Sequence, residues 1–110
     1  MRWVRVTSTD NIPLREGRAV RLGHEEIAIF NLGDKFVAVE NRCPHRGGPL
    51  ADGIVSGDSV VCPLHQWKVC LSSGEVTRPQ DAPDCVRSFP VQVIDGVVLI
   101  EIAAEQAKAA

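Results

Sequence analysis

Two short pairs of metal-binding side chains, Cys43-Pro44-His45 and Cys62-Pro63-Leu64-His65, constrain this chain more than any other feature. Sixteen residues, Arg46 to Val61, separate them. Each pair offers one thiolate and one imidazole, so two loops that face each other would bring four ligands to one metal site. A structural zinc ion accepts two Cys and two His, and on ligand count alone zinc stays open. Ordinary zinc fingers, however, pair Cys with Cys in one knuckle and His with His in the other. Here each loop is mixed. That order suits a centre of two metal ions to which every loop gives one ligand apiece.

A chain of 110 residues makes a single domain, 1–110, with a modest core and no room for a separate catalytic domain beside a metal site. Twelve basic and fourteen acidic residues leave a net charge of −2. That balance gives no basic footprint for nucleic acid and no polybasic patch for a membrane surface. The segment Met1-Arg2-Trp3-Val4-Arg5-Val6 lacks the apolar core of a signal peptide, and the longest strongly apolar run, Val97-Val98-Leu99-Ile100, is far short of a membrane span. The sequence thus reads as a cytoplasmic component of a larger system. In a reducing compartment the remaining cysteines, Cys70 and Cys85, read as small buried or half-buried hydrophobes. His24, beside Glu25 and Glu26 in a turn, reads as a solvated residue.

The rest of the chain reads as mostly β. Arg18 to Leu22 alternates, with Val20 and Leu22 on one face and Arg21 on the other. Glu26 to Phe30 and Phe36 to Val39 continue a meander, separated by Asn31-Leu32-Gly33-Asp34. Near the other end, Asp95-Gly96 is a type I′ hairpin signal that pairs Ile94 with Val97, Val93 with Val98 and Val91 with Ile100. Val91, Val93, Val98 and Ile100 then share the predicted core face. No segment sustains a helical period, although Ala103 to Ala110 has the composition of a short, fraying helix. The fold expected is an antiparallel β base, a sandwich or barrel, with an inserted metal-binding lobe. The base takes residues 1–41 and 77–102, the lobe 42–76 and the tail 103–110.

In its ligand order the chain resembles the Rieske [2Fe–2S] family, in which two Cys hold one iron and two His the other. The resemblance extends from about Val4 to Ile102 and is carried by Asn41-Arg42-Cys43-Pro44-His45-Arg46-Gly47-Gly48-Pro49-Leu50 and Cys62-Pro63-Leu64-His65-Gln66-Trp67. Within that family it looks like the small subunit of bacterial NAD(P)H-dependent nitrite reductase. The resemblance implies that Cys43, His45, Cys62 and His65 ligate the cluster iron. It also implies imidazole edges facing outward as the electron exit, and a proline-bearing third loop, for which Pro79 to Pro83 is the candidate.

Other residues near the pairs then acquire readings. Gly47 and Gly48 let backbone N–H groups approach the sulfides, or simply form a turn. Pro44 and Pro63 restrict the loops. Leu50 and Leu64 are expected to cover the cluster. Trp67 reads as part of a docking surface or as a packing residue, and Arg46 as a solvated charge. Two ferric ions, two sulfides and two thiolates sum to zero, whereas four thiolates leave −2, so the His-ligated form accepts an electron more easily. Rieske centres accordingly run from about −150 to +300 mV, against about −400 mV for plant-type clusters. High-potential respiratory members carry an extra disulfide and Ser and Tyr donors near the cluster. This chain has Gly48, Leu64 and Trp67 at the matching positions and no Tyr, which predicts the low end of the range.

The leading expectation is an electron-transfer small subunit of an assimilatory, nitrite-to-ammonium reductase. Its partner would be a large flavoprotein subunit carrying FAD, an NAD(P)H site, a [4Fe–4S] cluster and sirohaem. The alternative is a free-standing Rieske ferredoxin that passes electrons from a flavoprotein reductase to an aromatic-ring dioxygenase. A zinc-stapled interaction module is the third reading.

Overall fold

The protein is described from a computed structural model covering residues 2–23, 25–42, 49–63, 67–78 and 85–102. Its strands are β1 (Arg2–Ser8), β2 (Gly17–Leu22), β3 (Glu25–Asn31), β4 (Phe36–Glu40), β5 (Ile54–Ser56), β6 (Ser59–Val61), β7 (Lys68–Cys70), β8 (Val76–Arg78), β9 (Ser88–Phe89), β10 (Val91–Ile94) and β11 (Val97–Ile102). They form three antiparallel sheets with orders β1-β11-β10, β2-β3-β4-β9 and β5-β6-β7-β8. The mostly β expectation is met, and the sequence meander Arg18–Val39 is the heart of the second sheet.

That second sheet is the middle layer. Along β3, Ile27, Ala28, Ile29 and Phe30 are all fully buried. Successive side chains of a strand point to opposite faces, so burying four in a row requires a core on each side. Ile27 and Ile29 pack with Ile12, Ala38, Val98, Ile100 and Ile102 against the first sheet. Ala28 and Phe30 pack with Val39, Leu50, Val60, Val69 and Leu71 against the third. Strand β4 divides the same way, with Ala38 in one core and Val39 in the other.

The third sheet is held to the middle layer by one inward rung. Val55 pairs with Val60, Val60 with Val69 and Val69 with Val76, and the last three are buried. The adjacent rung, Ile54–Val61–Lys68–Arg78, faces the other way, and Ile54 is 72% exposed.

The hairpin register expected around Asp95-Gly96 is observed pair for pair. Both turn residues have positive φ, 52° at Asp95 and 77° at Gly96, as a type I′ turn requires. One expectation fails. Val93 shares a face with the buried Val98, yet it is 46% exposed, because β10 is the edge of its sheet. The sequence reading also gave no strand at the amino terminus, where β1 pairs with β11 from Arg2↔Ile102 to Ser8↔Val97. A register shift between Arg5 and Thr7 interrupts the alternation that would have revealed it.

Burial at the two ends of this hairpin predicts unequal costs. Ile100→Ala should lose about 2–5 kcal/mol in urea unfolding, and Val93→Ala less than about 1 kcal/mol.

Candidate metal centre

Of the four ligand candidates, Cys62 lies among the described residues; Cys43, His45 and His65 lie outside them, as do Arg46, Gly47, Gly48 and Leu64. What can be built is the frame from which both loops spring. The second loop is closed at its neck by the Cys62 N–H, which donates to the Trp67 carbonyl at 2.7 Å. Cys62 itself is 1% exposed and its thiol is in no disulfide. Trp67 packs against the core between the middle and third sheets, which favours the packing reading of that residue.

The first loop is closed by a side chain. Asn41 follows β4, and its Oδ1 accepts from the Ala51 N–H at 2.8 Å, ten residues along the chain. Its Nδ2 donates to Glu26 Oε1 at 2.8 Å, and its backbone N–H donates to the Glu26 carbonyl at 2.9 Å. Beyond the loop, Leu50, Ala51 and Asp52 make a single 3₁₀ turn. Leu50, expected to cover the cluster, is fully buried in the same core as Phe30, Val60 and Cys62.

The two necks are neighbours because the returning end of the first loop runs straight into β5, which pairs with β6 from Ile54↔Val61. Gly53 allows this close approach. A Cβ there would sit 2.3 Å from the Val61 carbonyl oxygen and 2.8 Å from Val60 Cγ2. Its φ of −78° and ψ of 177° suit any residue, so glycine is required by space and not by conformation.

An array of charges flanks the first neck. Arg87 pairs with both Glu25 and Glu40, its backbone N–H donates to Glu40 Oε1 at 2.8 Å, and its guanidinium lies 5.5 Å from the Phe89 ring centroid. The hydrogen bond that Arg87 donates to Glu25, then the charges of Glu25 and Glu40, raise the Arg87 pKa above its ordinary value against the effect of burial. These bonds tie the chain emerging before β9 to the end of β4. Residues 79–84, which hold the expected third proline loop, lie outside the described residues.

Cys70 and Cys85 stand apart from this frame. The Cys70 N–H donates to the Glu75 carbonyl and Glu75 bridges to Cys85. The two thiol-bearing residues are thus separated by two strand spacings, about 9–10 Å, beyond the roughly 7 Å that a disulfide spans. Hydrogen bonding from Ser73 lowers the Cys70 thiol pKa. Cys85 is exposed, where burial was expected.

A buried, unoxidised thiol at the closed neck of a loop that carries His65 fits a thiolate–imidazole metal centre. The sequence profile of the Rieske [2Fe–2S] domain matches residues 2–90. The chain belongs to the Rieske [2Fe–2S] family. It is an electron-transfer domain of the kind that serves oxidoreductase systems, and its cofactor is the Rieske-type [2Fe–2S] cluster.

Among Rieske proteins, it is 31% identical over 108 residues to the biphenyl dioxygenase ferredoxin subunit of Pseudomonas sp. (strain KKS102), covering 94% of each chain. The fold matches the ferredoxin of carbazole 1,9a-dioxygenase from Nocardioides aromaticivorans IC177 with a TM-score of 0.79 and 26% identity, covering 91% of this chain and 97% of that one. It also matches a candidate NADH-dependent nitrite reductase small subunit from Mycobacterium tuberculosis, with a TM-score of 0.82, 26% identity and coverage of 94% and 97%. No helix among the described residues is long and apolar enough to cross a membrane.

Asn41, quoted above only as part of the motif, and Gly53 are frame residues to which the sequence reading gives no structural role. Asn41 had a signal. It continues the series Val37, Val39 that faces the lobe-side core, so a polar residue stands where an apolar one is expected. Gly53 had no local signal, because its constraint comes from Val61 across the hairpin. Gly53→Ala should cost about 1–3 kcal/mol by forcing β5 from β6, and iron bound per chain should fall with it.

Proposed function

We propose that this chain is the ferredoxin component of an aromatic-ring dioxygenase system, carrying electrons in the cytoplasm from a flavoprotein reductase to the terminal oxygenase. Similarity to a dioxygenase ferredoxin subunit, running over 94% of both chains, carries the reading. It favours what the sequence analysis held as the alternative. The likeness to a candidate nitrite reductase small subunit supports the leading expectation as a second reading, with the large sirohaem flavoprotein as partner.

Cys43 and Cys62 would hold one iron of the cluster, and His45 and His65 the other. The cluster supplies reversible one-electron transfer. The chain does the rest. The closed necks fix where each loop leaves the frame, and Cys62 is kept from water. The outward rung next to the second neck presents Ile54 with Lys68 and Arg78. A docking surface that matches it is apolar at its centre and acidic around it.

Cys43→Ser, His45→Ala, Cys62→Ser and His65→Ala should each abolish the reduced-cluster EPR signal, while Cys70→Ser and Cys85→Ser retain it. The midpoint potential should fall in the lower half of about −150 to +300 mV; a value well above zero in a redox titration rejects that. To separate the two readings, the untagged protein is purified from its native host. Elution alone as a red-brown protein that passes electrons from a flavoprotein reductase to a ring oxygenase supports the carrier. Stoichiometric co-elution with a subunit showing sirohaem absorption establishes the nitrite reductase reading instead.

A further inference from the structure

Asn41 is the one buried polar side chain among the described residues, 6% exposed, and it stands two residues before the first ligand candidate. If that position served packing alone, another valine would continue the series Val37, Val39. Instead its amide joins two things that no apolar side chain can join. On one side, Oδ1 takes the Ala51 N–H at 2.8 Å and so draws together the ends of segment 42–50. On the other, Nδ2 gives a hydrogen bond at 2.8 Å to Glu26, at the start of β3, whose carboxylate also lies 3.7 Å from Arg21. The loop neck is thereby clamped to the most deeply buried strand of the frame.

We propose that Asn41 is a positioning residue for the cluster: by locking the neck of the first loop to Glu26 it fixes how the Cys43 and His45 pair meets the second loop. The inference rests on the assignment of Cys43 and His45 as ligands. Reduction potential responds to hydrogen bonding and burial around a cluster, so a change in loop seating is read as a change in potential. A role confined to stability would lower the unfolding midpoint and leave the potential alone.

The test uses the holoprotein, with redox titration, EPR of the reduced cluster and the rate of cluster loss as readouts. Asn41→Ala removes both side-chain bonds. It should shift the reduction equilibrium about tenfold, which is about 59 mV for one electron, with an altered EPR line shape and faster loss of the cluster. Asn41→Asp keeps an acceptor for the Ala51 N–H but sets a carboxylate against Glu26, and should shift the potential too. Asn41→Asp combined with Glu26→Gln restores a donor–acceptor pair with its polarity reversed, and should bring potential and line shape back toward wild type. Val98→Ala, in the other core, lowers stability without touching the neck and serves as the control.

The proposal is overturned if Asn41→Ala keeps the wild-type potential, spectrum and cluster lifetime. It is equally overturned if Val98→Ala shifts them as much, or if the double variant folds and restores nothing. Should Asn41→Ala fail to fold, the aspartate single and double variants carry the comparison. Absence of a Rieske-type signal from the wild-type holoprotein would instead remove the ligand assignment, and the inference with it.

Discussion

Strand β3 has no solvent face, and the rest of the architecture follows from that. Four consecutive fully buried residues, Ile27 to Phe30, commit the chain to a core on either side. Burying each of the larger side chains contributes about 1.5–3 kcal/mol, and neither core can be removed without exposing half of the strand. The first sheet, built from the two ends of the chain, covers Ile27 and Ile29. The third sheet, inserted between β4 and β9, covers Ala28 and Phe30. The described ends of both ligand loops lie at this second interface, and Cys62 is itself part of that core.

The two loops are closed by different means, and the difference has a physical reason. Cys62 and Trp67 lie close in sequence, so a single backbone hydrogen bond can close the shorter turn. The first loop is longer, and its ends approach from a strand of the middle sheet and from a 3₁₀ turn, which share no ladder. A side chain must bridge them. Asparagine suits this position because it offers an acceptor and a donor on one short, stiff amide. Both are satisfied here, and a buried polar group left half-satisfied would cost about 1–3 kcal/mol.

Much of this was legible in the sequence, for reasons that differ by element. The Asp95-Gly96 hairpin was readable because a two-residue turn fixes register locally. The mixed Cys/His order pointed to an iron–sulfur centre because ligand chemistry is written in residue type. Val93 was misjudged because alternation says which face a residue takes, not whether its strand lies at the edge of a sheet. The 3₁₀ turn at Leu50 places that side chain in the core that also holds Cys62, a burial that its position beside the motif alone does not reveal. Gly53 was invisible for a deeper reason: the atom that excludes a side chain there belongs to Val61, and no local pattern records the encounter.

The same distinction bears on carrier versus subunit. Among the described residues no buried side-chain nitrogen or oxygen is left without a hydrogen bond. An obligate subunit usually gives a large apolar surface to its partner. Among the described residues the large hydrophobics that remain exposed are Trp3 on β1, Leu14 in a loop, Ile54 on β5, and Val93 with Ile94 on the edge strand β10. Of these, Ile54 lies on the rung beside the ligand loops, accompanied by Lys68 and Arg78. A small apolar contact beside two basic side chains is compatible with the transient docking of the carrier proposed above.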